Sequence, residues 1–161
     1  MVDVDQLTVG ASLQMQPQGS SAVIFHLAFP VKDLEETKSF YVNGLGCALG
    51  RETNTALILN LYGHQLVAHV TDEPTTKQKG IYPCHFGLIF LVETHWHELL
   101  VKASERQLLF YQGAKQRFIG SPLEHRTFFL QDPSGNLMEF KFYRYPEAIF
   151  GDRALHCIGD G

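Results

Sequence analysis

The sequence predicts an α+β fold made of two βαβββ modules. A strand-like apolar run, a helical pattern and three further strand-like runs occur in this order twice, before and after a linker. A histidine stands in the first strand of each half, His26 in the first and His85 in the second. Each half closes with a hairpin whose turn contains a glycine, Gly63 or Gly135. The chain of 161 residues is therefore predicted to be a duplication within one domain.

The two ends of the chain differ from this body. The first residues are rich in Gln, Ser and Gly without periodicity, which is typical of a flexible leader, and the strand pattern decays after Tyr145. The predicted boundaries are a leader at 1–21, one domain at 22–145 (module one at 22–71, a linker at 72–82, module two at 83–145) and a C-terminal tail at 146–161.

Module one continues after its first strand with Asp33 and, three residues later, Glu36. This spacing predicts a capped helix over about 33–43, stopped by Gly44 and Gly46. Three strands follow, and the last two are joined by a tight turn at Gly63. These strands are predicted at 47–52, 56–61 and 65–70.

Module two repeats the order from a strand at 84–92. Thr94 is a possible N-cap for a helix whose apolar residues follow helical spacing from Trp96 to Ala103. A short strand at 108–111 then leads into a glycine-containing loop that is expected to reach Glu124. The closing hairpin is predicted at 126–130 and 137–143.

The composition excludes several classes of function. A formal charge of −4 with scattered basic residues disfavours a nucleic-acid partner. The sequence shows neither a secretion signal nor an apolar run of the roughly 18 residues that span a bilayer, so we expect a cytoplasmic protein. Cys47, Cys84 and Cys157 are far apart and odd in number, which favours reduced thiols over disulfides or a thiolate zinc site.

Three residues are candidate metal ligands. Glu139 stands among the apolar residues of the last strand, where an unpaired carboxylate is costly and therefore needs a cation. His26 and His85 occupy equivalent first strands, and nearly equal lengths of chain separate the three residues. Two histidines and one carboxylate form the facial set that suits non-haem Fe(II), and Mn(II) is also plausible. The alternative is structural, with core histidines and with Glu139 paired to Lys141 or Arg126.

Four motifs resemble the vicinal oxygen chelate superfamily, which includes glyoxalases, bleomycin-resistance proteins, fosfomycin-resistance transferases and extradiol dioxygenases. The resemblance extends over residues 23–143. The motifs are His26-Leu-Ala-Phe-Pro-Val-x-Asp-Leu, Phe40-Tyr-x-x-x-Leu-Gly, His85-Phe-Gly and Asp132-Pro-Ser-Gly-Asn-x-x-Glu139. The chain is also similar to a bacterial branch described as predicted extradiol-type dioxygenases.

This resemblance implies an open half-barrel sheet around a divalent metal held by His26, His85 and Glu139. Glyoxalase I uses a fourth protein ligand, and the matching position here is Val67, which lowers the glyoxalase interpretation. The leading hypothesis is a Fe(II) extradiol-type ring-cleaving dioxygenase acting on a small vicinal-oxygen substrate. The alternatives are a glyoxalase-like lyase or isomerase or a thiol transferase using Mn, Ni or Zn, and a metal-free drug- or metabolite-binding protein. A homodimer is the family expectation, with each site built within one chain or across two.

Four further residues are candidates for catalysis or substrate binding. Strand alternation puts Gln65 and His69 on the face of Val67, so they are predicted to support the metal ligands or to move protons. Arg126 and Tyr111 are predicted to bind a carboxylate or a ring oxygen at the rim, although the sequence does not fix their directions.

Overall fold

The computed structural model describes residues 23–73 and 78–151 and has the predicted α+β fold. Each module contributes a four-stranded mixed sheet, in the order β1-β4-β3-β2 for module one and β5-β8-β7-β6 for module two. The strands are β1 (His26–Val31), β2 (Ala48–Glu52), β3 (Ala56–Leu61), β4 (His64–Val70), β5 (Phe86–Phe90), β6 (Phe110–Arg117), β7 (His125–Gln131) and β8 (Leu137–Tyr143).

The strand register confirms the internal duplication. In module one, the parallel pairing of β1 with β4 sets Ala28 opposite Val67. In module two, β5 pairs in parallel with β8 and sets Gly87 opposite Glu139. Since Ala28 and Gly87 each lie two residues after the histidine of their module, Val67 is the structural counterpart of Glu139.

The module-one helix begins as predicted. The side chain of Asp33 accepts a hydrogen bond from the backbone N–H of Glu36 at 2.8 Å and caps helix α1 (Leu34–Lys38). The helix continues in π-helical form over Ser39–Leu45 and ends at Gly46, whose φ of 86° is a left-handed conformation that glycine adopts without strain. The helical segment thus extends two residues beyond the predicted last residue, Asn43, and ends at Gly46, one of the two glycines predicted to stop it.

Module two differs from the prediction in two places. Helix α2 (Glu93–Glu105) begins after Val92, which makes no side-chain cap, so the assignment of Thr94 as N-cap was wrong. Strand β6 extends to Arg117, where a loop was expected. Its polar residues belong to the sheet because they pair with β7 despite two irregularities in register.

A hydrophobic core that includes residues of both modules lies on the helix side of the sheets. The hydroxyl group of Tyr41, at the module-one helix, donates a buried hydrogen bond of 3.0 Å to Asp132 in the β7–β8 turn. Burial raises the pKa of Tyr41 well above its ordinary value. Burial likewise raises the pKa of Asp132, although N–H groups of Asn136 and Ser134 donate to its carboxylate. The two modules are thus joined through this turn.

The predicted leader at 1–21 lies outside the described residues, as do parts of the linker and tail. The described part of the tail forms a short 3-10 helix, Pro146–Ile149. Within 23–73 and 78–151, no helix is long and apolar enough to cross a membrane. Cys47 and Cys84 are free thiols, and burial raises the pKa of Cys47 to about 12.

Candidate metal centre

Glu139 lies on β8 with its side chain on the face of the sheet that is turned away from the core. Its two carboxylate oxygens have different partners. The hydroxyl group of Thr127 donates to Oε1 at 2.7 Å, whereas Oε2 lies 3.0 Å from Nε2 of His85 and 3.1 Å from Nζ of Lys141. Oε1 is therefore held by Thr127 of the neighbouring strand. Oε2 instead faces His85 and Lys141, whose contacts with it can be exchanged for other partners.

The ring of His85 is oriented by the chain just before β5. Its Nδ1 lies 2.7 Å from the carbonyl oxygen of Ile81, which can only accept, so Nδ1 carries a proton. The ring also packs edge-on against Phe129, with centroids 5.3 Å apart. Nε2 then points at the Glu139 carboxylate, and two acceptor atoms 3.0 Å apart need a proton or a metal ion between them.

Gly87 allows β5 to approach β8 closely beside this pair. A Cβ atom at Gly87 would lie 1.7 Å from the carbonyl oxygen of Glu139, which no real contact allows. Module one has Ala28 at the equivalent position, opposite Val67. The requirement for glycine is thus specific to the module that carries the carboxylate.

His26 has the same arrangement in module one. Its Nδ1 donates to the side-chain oxygen of Gln65 at 2.7 Å, and Gln65 is also its partner in the parallel β1–β4 pairing. Nε2 is therefore the atom through which His26 can bind a metal, as it is in His85. His26 is exposed on the open face of the module-one sheet.

The structure brings His85 and Glu139 together but does not bring His26 to them. Among the described residues, no three His, Cys, Asp or Glu side chains form a group that can hold a metal ion. The predicted facial set is therefore divided between the two sheets of a single chain, with the exposed His26 on one and the largely buried His85–Glu139 pair on the other.

The other predicted site residues lie at different places. Gln65 orients His26, and His69 is exposed further along the same face of β4. Arg126 requires a correction, because it pairs in register with Phe142 and forms an ion pair with Glu93 at 2.6 Å, on the helix side of the sheet. Tyr111 is an exposed residue of β6, two strands away from β8.

Sequence reasoning missed two residues that shape the site. Thr127 holds Glu139 from the neighbouring strand, and Ile81 orients His85 through a backbone carbonyl. The hairpin register was the available signal for Thr127, since it lies on the face of Phe129, the residue opposite Glu139. For Ile81 the sequence gives no signal, because any residue supplies the same carbonyl group.

A family model described as the Glyoxalase/Bleomycin resistance protein/Dioxygenase superfamily matches residues 23–140. A glyoxalase/bleomycin resistance protein/dioxygenase from Alicyclobacillus acidocaldarius is 40% identical, with 84% of this chain and 99% of that chain covered and a TM-score of 0.75. None of the curated proteins that were compared matches the chain.

More distant structures share the fold alone. A lactoylglutathione lyase from Agrobacterium tumefaciens is 14% identical, with 77% of this chain and 96% of that chain covered and a TM-score of 0.57. TioX from Micromonospora sp. ML1 is 17% identical, with 76% and 99% covered and a TM-score of 0.58. The family model and the 40% identity to the Alicyclobacillus acidocaldarius protein together show that the chain belongs to the Glyoxalase/Bleomycin resistance protein/Dioxygenase superfamily.

Proposed function

We propose that the protein is a divalent-metal-dependent enzyme, a Fe(II) extradiol-type dioxygenase of small vicinal-oxygen substrates. The observation that carries this proposal is the contact of His85 Nε2 with Glu139 Oε2 at 3.0 Å, while Nδ1 of the same ring is committed to a carbonyl oxygen. This is the arrangement in which a histidine is prepared to bind a metal. The chemistry of the donor set, two imidazoles and one carboxylate, fits Fe(II) and also accepts Mn(II).

The third ligand is His26 of a second copy of the chain, so that a homodimer contains two equivalent sites. Within one chain His26 does not join the His85–Glu139 pair. The strands β1 and β5 are both edge strands and can pair further. Ile89 on β5 is 42% exposed and Leu91 just after it is 77% exposed, which is apolar surface suited to a partner. A two-fold axis would supply both sites at once.

The residues of the chain have separate tasks in such a site. Thr127 and Ile81 hold Glu139 and His85 in position, and Gln65 holds His26. His26, His85 and Glu139 would hold Fe(II), which would supply the redox chemistry of ring cleavage. Val67, at the position matching a fourth ligand, adds no donor atom. His69 lies on the His26 face and is the proposed proton carrier.

A metal-free binding protein is the second candidate, and one observation favours it. Nζ of Lys141 lies 3.1 Å from Glu139 Oε2, so cations of the chain itself are able to neutralise the carboxylate. In that case the sheet faces that carry His26 and Glu139 would bind a small molecule without catalysing a reaction. A glyoxalase-like lyase has no comparable support, because Val67 replaces the fourth ligand.

Metal analysis of anaerobically purified protein tests the proposal. Wild type reconstituted with Fe(II) is expected to hold about one ion per chain, and His26→Ala, His85→Ala and Glu139→Gln each to lose it. The control is His97→Ala, an exposed histidine of α2, which is expected to keep the metal. Oxygen uptake with a panel of catechols then tests the reaction. Wild type without metal after reconstitution would favour the metal-free binding protein.

Complementation tests whether the site spans two chains. His26→Ala and Glu139→Gln are unfolded together and refolded as a mixture, so that heterodimers form. If the site is shared, each heterodimer contains one intact site, and the mixture recovers about a quarter of the wild-type metal. If every site lies within one chain, the mixture holds no more metal than the two variants separately.

A further inference from the structure

Residues 78–84, called the Gln78 loop below, lead to His85 and β5 without forming a helix or a strand. Backbone groups outside regular structure need partners from side chains or water. Within the described residues, the backbone of 79–84 makes no hydrogen bond to another backbone group. The side chain of Gln78 is the partner instead. Its Nε2 donates to the carbonyl oxygens of Gly80 at 2.7 Å and of Cys84 at 2.6 Å, and its Oε1 accepts from the N–H of Cys84 at 3.3 Å.

The carboxamide of Gln78 holds Cys84 as a neighbouring strand would. In an antiparallel sheet, a hydrogen-bonded residue donates its N–H to one partner residue and accepts from the same residue at its carbonyl oxygen. Gln78 makes both kinds of bond with Cys84, since a carboxamide contains a donor and an acceptor group. The residue directly before His85 is therefore fixed, although it lies outside β5.

The partners of Gln78 determine how its carboxamide is oriented. Two carbonyl oxygens, those of Gly80 and Cys84, face one end of the group, and they can only accept hydrogen bonds. The nitrogen must stand at this end, and both of its hydrogens are used. A glutamate at position 78 would offer no donor to these oxygens, and a methionine would offer neither donor nor acceptor. The loop therefore depends on a carboxamide at this position.

The Gln78 loop contains the acceptor that orients His85. Ile81 lies between the two anchored residues, Gly80 and Cys84, and its carbonyl oxygen is 2.7 Å from Nδ1 of His85. Every residue has a carbonyl group, so the identity of Ile81 does not place this oxygen. The hydrogen bonds of Gln78 on either side of Ile81 do place it, and they require one particular side chain.

Aromatic contacts alone do not select the nitrogen that His85 presents to Glu139. The ring contacts Tyr82 and Phe129, with centroids at 6.0 and 5.3 Å. These contacts restrict the tilt of the ring, whereas a hydrogen bond to a carbonyl oxygen decides which nitrogen carries the proton. The presentation of Nε2 to Glu139 therefore depends on the carbonyl group of Ile81.

We propose that Gln78 is a positioning residue of the metal centre, which acts on His85 through the carbonyl group of Ile81. Its carboxamide holds the Gln78 loop in the conformation that keeps Nδ1 protonated and Nε2 directed at Glu139. The inference rests on the proposed function for the metal ion, whereas the arrangement of loop and ring belongs to the metal-free protein. The end of the linker between the modules is therefore part of the site.

Nuclear magnetic resonance of the metal-free protein with 15N-labelled histidine rings tests this role. Wild type is expected to show the Nδ1 proton of His85, assigned by its loss in His85→Ala, because the carbonyl group of Ile81 protects it from exchange with water. In Gln78→Met, which keeps the length of the side chain, this proton should exchange at least about tenfold faster, since the loop that protects it opens more often. Gln78→Glu should show the same effect, although it keeps an acceptor for the N–H of Cys84.

Gln116→Met is the matched control. It removes the same type of side chain and a 3.0 Å hydrogen bond to Glu124, on β6 at the opposite edge of the sheet from β5, so the His85 proton should exchange as in wild type. Anaerobic titration with Fe(II) measures the effect on the metal. The affinity of Gln78→Met is expected to be about 10- to 100-fold lower, as is usual when a group that orients a ligand is removed, and that of Gln116→Met should be unchanged.

The exchange rates separate this inference from the proposed function. Urea denaturation establishes that the variants are folded, and Gln78→Glu alone decides if Gln78→Met does not fold. Exchange of the His85 proton at the wild-type rate in a folded Gln78 variant, with only the free energy of unfolding lowered, would overturn the inference, as would an equal acceleration in Gln116→Met. Absence of Fe(II) binding in wild type, together with the expected exchange rates, would refute the proposed function and leave the effect of Gln78 on His85 in place.

Discussion

The ring of His85 is held between two acceptors, the carbonyl oxygen of Ile81 at Nδ1 and the carboxylate of Glu139 at Nε2. The carbonyl oxygen fixes which nitrogen carries the proton in a neutral ring. A neutral His85 would therefore present a lone pair to Oε2 of Glu139, and only an added proton or a metal ion makes this contact favourable. The contact between His85 and Glu139 therefore needs a proton or a metal ion to be favourable.

Thr127→Val should weaken metal binding without unfolding the protein. The substitution keeps the shape of the side chain but removes the 2.7 Å hydrogen bond to Glu139 Oε1. Loss of a group that orients a metal ligand typically weakens metal affinity by about 10- to 100-fold. Metal titration of the apoprotein measures this effect. The control is Thr37→Val in module one, which loses a hydrogen bond to Asp33 and should lower only the free energy of unfolding; equal metal affinity in both variants would contradict the prediction.

Lys141→Met should have the opposite effect on the metal. The ammonium group of Lys141 competes for Oε2 of Glu139 at 3.1 Å, and its removal leaves the carboxylate in greater need of another cation. We expect metal affinity to rise by roughly tenfold, judged from the effect of a neighbouring charge on a carboxylate. Lys102→Met on α2 is the control, and a fall in metal affinity in Lys141→Met would show that the lysine supports the site.

Gly87→Ala should damage the site through the backbone. The added methyl group would meet the carbonyl oxygen of Glu139, so β5 has to move away from β8 beside the His85–Glu139 contact. Such overpacking typically costs about 1–3 kcal/mol in the free energy of unfolding, and metal binding should be lost as well. Ala28→Gly is the matched change in module one, where about 0.5–1 kcal/mol is expected from backbone freedom alone. Chemical denaturation and metal analysis of both variants measure the difference.

The sequence was sufficient to identify most of the strands because their signals are local. Strands β3 and β8 have the predicted bounds because each is a largely apolar run next to a glycine-containing turn, at Gly63 after β3 and at Gly135 before β8. Strand β6 was missed beyond Tyr111 because residues 112–117 are polar and contain Gly113. These residues form a strand only through pairing with β7, which is a tertiary effect that local propensity does not contain.

For the candidate site, the sequence identified the residue types better than their arrangement. The duplication led to His26, His85 and Glu139, and the register agrees that Val67 matches Glu139. Arg126 was assigned to the rim although it alternates with Thr127 and so must project to the other face. The separation of His26 from His85 and Glu139 depends on how the two modules pack, which strand periodicity does not determine.

The pH dependence of stability provides the last prediction, at Glu124. The backbone N–H of Gly120 donates to this buried carboxylate at 2.7 Å, and Arg144 forms an ion pair with it at 2.9 Å. These contacts, the first being the largest cause, lower the pKa of Glu124 below its ordinary value of 4.5. The unfolded chain therefore binds a proton more readily than the folded protein, so the stabilisation is present above pH 4.5 and is lost as the pH falls through the lower, folded pKa. In Glu124→Gln, the free energy of unfolding should fall less steeply as the pH decreases below 4.5. Urea denaturation at a series of pH values measures this dependence. Glu147→Gln, at an exposed position, is the control, and a pH dependence in Glu124→Gln equal to that of wild type would contradict the assignment.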